Sequence, residues 1–226
     1  MKIIFLGTGA ADWDFSQKDT SSEFRRFSSA LVNDDLLIDP GPHVFDAFEA
    51  FNKDPKKIKY VIVTHRHSDH FNAQTLEKLE RIGAKLFEFA VGEEKVIGSY
   101  SISAYSANHS TCNDPLHYII SDGIKTLFYG LDGAWLMYDE VQGIISKKPD
   151  LAVLDATIGF IDGDYRIFEH NNLNMVLEMK KTLDKYVKKF CISHMARTLH
   201  TDHKTLFEKM SEYDVLTAFD GMEIEI

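Results

Sequence analysis

Short apolar runs alternate with amphipathic stretches along the whole chain. Runs rich in β-branched, aromatic or Leu residues fall at 2–7, 29–33, 36–39, 60–64, 85–90, 100–105, 116–121, 124–129, 150–155 and 188–193, and each predicts a strand. Apolar residues recur at i, i+3 and i+4 over 43–52, 72–82, 138–147, 171–186 and 203–212, which predicts five helices, the last capped by Thr201 or Asp202. Asn33-Asp34-Asp35 and Ser121-Asp122-Gly123 interrupt adjacent strand patterns with residues that tolerate left-handed backbone, so both predict hairpins. Hairpins early and crossover helices later require two sheets with helices outside them: a mixed α/β, four-layer αββα sandwich.

Composition adds boundaries to that picture. With 226 residues, 44% hydrophobic and 27% charged, and no Pro/Gly/Ser-rich linker, the chain reads as one domain over 1–226 with a core of ordinary size. Cys112 and Cys191 stand alone in no C-x-x-C pattern, which fits a reducing compartment. The apolar run at the N-terminus is too short for a signal peptide and stops at Gly7. No stretch approaches the roughly 20 apolar residues that cross a bilayer, so a soluble, cytoplasmic protein is expected. A net charge of −10 disfavours long nucleic acid as substrate, since many phosphates call for a basic stripe.

The densest chemistry follows the strand pattern Tyr60-Val61-Ile62-Val63-Thr64, which leads straight into His65-x-His67-x-Asp69-His70. Two imidazoles two positions apart, leaving the end of a strand, can aim at one ion. The carboxylate and imidazole just after them can reach a second ion a few ångströms away. Two such cations lower the pKa of a bridging water toward neutrality and clamp the oxygens of the group under attack, so hydrolysis is the chemistry expected. His/Asp donor sets accept zinc, manganese and iron, with zinc expected first.

H-x-H-x-D-H resembles the signature of the metallo-β-lactamase superfamily. Other motifs fall in the superfamily's order: Leu6-Gly7-Thr8-Gly9, Leu37-Ile38-Asp39-Pro40-Gly41, a lone His109, Tyr129-Gly130-Leu131-Asp132-Gly133, and His194 after Phe190-Cys191-Ile192-Ser193. The resemblance implies one metal held by His65, His67 and His109, a second by Asp69, His70 and His194, and Asp132 bridging them. Zinc β-lactamases tend to carry cysteine at the bridging position, so Asp132 argues against antibiotic hydrolysis. Asp69 is expected to orient the nucleophile or shuttle its proton as well as bind metal. Asp39 reads either as a turn residue or as the acceptor that fixes a metal-bound imidazole.

Val153-Leu154-Asp155-Ala156-Thr157, His170-x-x-Leu173-Asn174 and Ala218-Phe219-Asp220-Gly221-Met222 resemble the phosphodiesterase branch, most closely the phosphoribosyl cyclic phosphodiesterases. That resemblance implies that His170 contacts the substrate phosphate and protonates the departing oxygen. Asp12 to Phe27 departs from the branch, having none of its structural-zinc cysteines. Arg26 beside Arg25, and Arg197 with His200, are the candidate contacts to a small phosphorylated substrate. A homodimer is allowed by this reading. The competing readings are a lactonase or thioester hydrolase, a tRNA-processing-type nuclease lacking its basic arm, and a non-catalytic metal-binding or redox module. The last normally needs a flavin domain or has lost ligands, whereas all seven ligand positions are filled here.

Overall fold

The computed structural model describes residues 1–19 and 21–226. Its strands, numbered in chain order, make two sheets. One runs β13 (Glu223–Glu225), β1 (Lys2–Gly7), β2 (Ser29–Val32), β3 (Leu36–Ile38), β4 (Tyr60–Ile62), β5 (Lys85–Leu86). The other runs β12 (Val215–Thr217), β11 (Phe190–Ser193), β10 (Leu151–Asp155), β9 (Thr126–Gly130), β8 (Leu116–Ser121), β7 (Tyr100–Ser106), β6 (Glu94–Ile97). Both expected hairpins form, pairing β2 with β3 and β8 with β9 antiparallel. The later strands β9 to β12 are parallel neighbours, as crossover helices require.

Side-chain alternation sorts these elements into layers. In β1, Ile3 and Phe5 point between the sheets and share a core with Tyr118 and Tyr129, whereas Ile4 and Leu6 point outward. The outward pair packs on helices α1 (Val44–Ala50) and α2 (Ala73–Arg81) through Val44, Phe48 and Leu79. In β10, Val153 faces the inter-sheet core, while Ala152 and Leu154 meet α3 (Tyr138–Lys147), α4 (Leu173–Leu183) and α5 (His203–Ser211) through Ile144, Val176 and Leu206. Each large apolar side chain removed from water contributes roughly 1.5–3 kcal/mol, so a one-residue register slip, which turns a whole strand over, is strongly disfavoured. The architecture is the expected αββα sandwich.

The five helices fall where the apolar periodicity puts them, and Asp202 caps α5 by accepting from Thr205 N. Three strands, β6, β12 and β13, lie beyond the ten predicted. In β13, Glu223-Ile224-Glu225 carries one buried apolar residue and is held through its backbone register, Lys2 opposite Glu225 and Ile4 opposite Glu223. β6 is an edge strand whose Val96 is 79% exposed, so its pattern carries little burial signal. The run expected over 85–90 pairs only at Lys85 and Leu86, because β5 lies at the sheet edge. Among the described residues no helix is long and apolar enough to cross a membrane. Both cysteines are free, Cys191 within the inter-sheet core.

Candidate metal centre

The chain leaves β3, β4, β9, β10 and β11 at one edge of the sandwich, and the residues that follow these strands meet there, as ligand sites in parallel sheets do. β4 ends at Ile62 because the opposite sheet claims the next two carbonyls. Tyr118 Oη donates to Val63 O at 2.6 Å and Leu116 N to Thr64 O at 2.8 Å. From there His65–His70 turns across the gap, closed by His70 N donating to His67 O at 3.0 Å. A side chain at residue 41 would stand 2.4 Å from Asp69 O, so glycine lets the Pro40–Gly41 turn lie directly against this loop.

Three sets of donor atoms converge, each set lying within 4.8 Å of one another: a first of His65, His67, His109 and Asp132, a second of Asp69, His70, Asp132 and His194, and a third, overlapping the second, of Asp132, Asp155, His170 and His194. In the first, His67 Nδ1 lies 3.1 Å from His65 Nε2 and 3.2 Å from His109 Nε2. In the second, His70 Nε2 lies 3.2 Å from His194 Nε2, with Asp69 Oδ2 3.4 Å from the former. Asp132 spans the first two sets, Oδ2 at 3.0 Å from His65 Nε2 and 2.9 Å from His70 Nε2, Oδ1 at 2.9 Å from His194 Nε2.

The far nitrogens of these rings are fixed by the protein. His70 Nδ1 donates to Asp39 Oδ2 at 2.8 Å, and Asp39 also accepts from Thr64 N at 2.7 Å, so Asp39 is the buried acceptor that orients an imidazole. His109 Nδ1 donates to Glu169 O at 3.2 Å, and Thr157 Oγ1 lies 2.8 Å from His194 Nδ1. Asp39, Asp132 and His194 all hold left-handed backbone, at φ of 61°, 57° and 61°. Such conformations cost on the order of 1–3 kcal/mol each in a residue other than glycine and concentrate at sites where geometry serves function.

Burial governs the electrostatics. It pushes His109 down to about 4, with the charges of His170 and His65 acting in the same direction. Burial also opposes the charged forms of His70 and His194, yet Asp132 and the other carboxylates around them outweigh it and raise both. Asp69 and Asp132 lie below the usual carboxylate range: burial works against ionisation, and the surrounding imidazoles overcome it, His70 first for Asp69 and His194 first for Asp132.

Facing imidazole nitrogens share at most one proton per contact, and Asp132 Oδ1 is buried with no well-directed hydrogen bond although His194 Nε2 lies 2.9 Å away. Divalent metal satisfies both conditions, so these residues fit metal binding, with Asp132 common to the first two sets.

The whole chain superimposes on the metallo-β-lactamase fold protein YhfI of Bacillus subtilis at a TM-score of 0.76 and 16% identity, covering 100% of this chain and 99% of that one. This is the metallo-β-lactamase fold. The family model described as the metallo-β-lactamase superfamily matches residues 28–73, which include His65 to His70. Zn(2+)-bound PqqB of Methylobacterium extorquens shares the metallo-β-lactamase fold at a TM-score of 0.75 and 15% identity, with 100% of both chains covered. A diphosphatase of the PhnP family does so at 0.74 and 15% identity, over 100% of this chain and 97% of that one. A UPF0173 protein of Pyrococcus furiosus is 29% identical over 112 residues, 42% of this chain and 50% of its own length. The chain spans about half the length of the curated relatives it matches.

Within this fold the structure brings together all seven residues expected as ligands, and places His170 at their edge. His170 Nδ1 lies 2.9 Å from Asp155 Oδ2 and 3.3 Å from Asp132 Oδ1. Burial opposes its charged form, but the charge and hydrogen bond of Asp155, then the charge of Asp132, raise it above the ordinary value. The motif containing Asp155 predicts no role for it from sequence. An Asp closing a fully buried strand is the signal that could have singled it out.

The arginines expected to meet substrate do not line the cavity at the metal cluster. Arg26 is buried, its Nε donating to Asp46 at 2.7 Å and its Nη1 to Asp220 at 3.3 Å, so two carboxylates hold it away from the cavity where it was expected to meet phosphate. Arg25 is likewise held by Thr8 Oγ1 and Ala218 O, at 2.7 and 2.8 Å. Arg197 is exposed and holds Asp12 through its backbone N, at 2.8 Å to the carboxylate, and through Nε, at 3.1 Å to the carbonyl. His200 donates from Nε2 to Ala156 O at 2.6 Å and lines a different cavity with Gly159 and Thr201. The cavity at the cluster has a volume of about 230 Å³ and takes its lining cation from Arg166, which the sequence reading passed over.

Proposed function

We propose that the chain is a dinuclear metal-dependent hydrolase acting as a phosphodiesterase on a small linear or cyclic phosphodiester. The observation that carries this reading is the Asp155–His170 pair. It supplies, beside a complete ligand set, an imidazole that is not consumed by that set and is oriented by a buried carboxylate. Zinc is the ion favoured, with manganese and iron as alternatives for the same His/Asp donors. When bound, such ions activate water and neutralise charge on the group attacked.

The chain's own residues account for the rest. Water adds across one P–O bond, and the departing oxygen needs a proton. Asp155 holds His170 by Nδ1 and keeps its imidazolium available, so the ring can deliver that proton from Nε2. Asp69 helps hold the second set of donors together. A cavity of about 230 Å³ suits a small ester better than a folded nucleic acid, and the net charge of −10 points the same way.

The test pairs elemental analysis of purified protein with hydrolysis of bis-p-nitrophenyl phosphate and of cyclic nucleoside monophosphates. Metal near two ions per chain, lost together with turnover in Asp132→Ala, is the expected result. Turnover of thioesters or lactones by metal-loaded protein that leaves all phosphodiesters intact overturns the substrate class.

A further inference from the structure

Arg166 stands on the same short turn that delivers His170. The residues Tyr165–Phe168 form a single 3-10 turn, and Arg166 O accepts from both Glu169 N at 2.9 Å and His170 N at 2.8 Å. Asp164 holds the guanidinium along one edge: Nε to Oδ1 at 2.9 Å and Nη2 to Oδ2 at 2.6 Å. The same carboxylate caps the turn by accepting from Arg166 N at 2.9 Å. A two-point grip of this kind leaves the opposite edge of the fork presented in a fixed plane. Nη1 has no protein partner among the described residues.

Arg166 also lines the cavity that holds His67, Asp69, His109, Asp132 and His170, and no other Arg or Lys does so. The carboxylate closest in charge after Asp164 is Asp12, at the same cavity wall. Asp12 is already occupied, accepting from Arg197 N at 2.8 Å and from Thr198 N and Oγ1 at 3.2 and 3.1 Å. Asp12 is thus an acceptor already engaged, and Arg166 is the lining cation with an N–H edge left unpaired.

We propose that Arg166 recognises a second anionic group of the substrate, carried on the portion that departs, so that preferred substrates bear a further phosphate or carboxylate beyond the phosphorus under attack. The departing side follows from placement, since Arg166 and the proton donor His170 share one turn; the inference thus rests on the phosphodiesterase reading. A diphosphate diester is the simplest molecule that fits, because its leaving group is itself a phosphate. Its hydrolysis adds one water across the P–O–P bridge and yields two monoesters.

The experiment compares parent protein, Arg166→Ala and Arg166→Lys, all metal-loaded, on diadenosine diphosphate and on bis-p-nitrophenyl phosphate, whose departing group is uncharged before cleavage. Arg166→Ala should raise KM for the diphosphate by about tenfold or more while leaving kcat within about threefold, since a hydrogen bond to a charged group is lost. Arg166→Lys should fall between, and both constants for bis-p-nitrophenyl phosphate should stay within about twofold. Equal losses on both substrates, or no change on the diphosphate, overturn the assignment. A calorimetric arm measures binding of the methylene-bridged diphosphate analogue, which needs no turnover. If no phosphodiester is cleaved, the proposed activity falls, while a tenfold weaker binding in Arg166→Ala still supports the anion site. Unchanged binding, or none by the parent, overturns it.

Discussion

His117 Nδ1 lies 2.5 Å from Glu140 Oε1, with both side chains 1% exposed, and this buried pair fastens the turn that carries Asp132. His117 Nε2 donates to Leu131 O at 3.1 Å, while the other Glu140 oxygen accepts from Met137 N at 2.6 Å at the start of α3. One imidazole thus ties β8, the helix start and the exit of β9 together. The next residue must be glycine, since a Cβ at Gly133 would sit 2.6 Å from the His117 ring.

The pair should make stability depend on pH in a definite direction. Burial opposes the charged form of His117, but the charge and hydrogen bond of Glu140 outweigh it and raise the group above its ordinary value. The folded chain therefore keeps a proton that the unfolded chain releases near pH 6.5. The stabilisation is complete below that pH and is lost as pH rises through the raised folded value. Glu140→Gln should cost about 3–5 kcal/mol at about pH 6 and visibly less at about pH 9, read from urea unfolding of both proteins. An identical cost at both pH values would sink the claim.

Asp155 should act on the reaction through His170. Its Oδ1 accepts from Thr157 N at 2.9 Å and Asn171 N at 3.1 Å, which leaves Oδ2 for His170 Nδ1. Asp155→Asn keeps the first two bonds with its amide oxygen at the Oδ1 position, which places the NH₂ against the ring, so the imidazolium loses its counter-charge. Turnover of esters with poor leaving groups should fall by about 10²–10⁴, as it should in His170→Gln, while p-nitrophenolate release falls far less because that group departs without protonation. Elemental analysis should still return the parent's metal content. Equal losses for good and poor leaving groups would remove His170 from the role of acid.

What could be read from the chain and what could not follow from how far apart the deciding residues lie. His65 to His70 are contiguous and follow a β-branched run, so both their identity and their position at a strand end are local information. The layers were equally legible, because alternation such as Ile3/Phe5 against Ile4/Leu6 is a property of each strand by itself. Arg26 misled because its partners Asp46 and Asp220 are remote in sequence, one of them 194 residues away, and only folding shows that they hold it away from the cavity. Arg166 was missed for the opposite reason: in sequence it is one more surface arginine, and its value comes from a cavity wall built by six separate strand ends. β13 formed without an apolar pattern because an antiparallel neighbour needs only backbone groups.

Asp39 offers the cleanest separation of orientation from charge at the metal centre. Its φ of 61° suits Asp or Asn better than Ala, so Asp39→Asn can keep the backbone without added strain. The amide oxygen can still accept from Thr64 N, now 2.7 Å from Oδ1, which leaves the amide nitrogen facing His70 Nδ1 in place of Oδ2. An NH₂ there donates instead of accepting, so the ring proton shifts to Nε2. That nitrogen is the one 2.9 Å from Asp132 and 3.2 Å from His194 Nε2, and a protonated nitrogen cannot ligate a cation. Metal affinity should weaken by about 10–100-fold, and it should do so at the Asp69, His70 and His194 position, with the His65, His67 and His109 position less affected. Competition against a graded series of chelators, followed by elemental analysis, reads this as one ion released well before the other. Loss of both ions together would show that Asp39 supports the whole loop rather than one ring, and unchanged affinity would show that the His70 tautomer is set elsewhere.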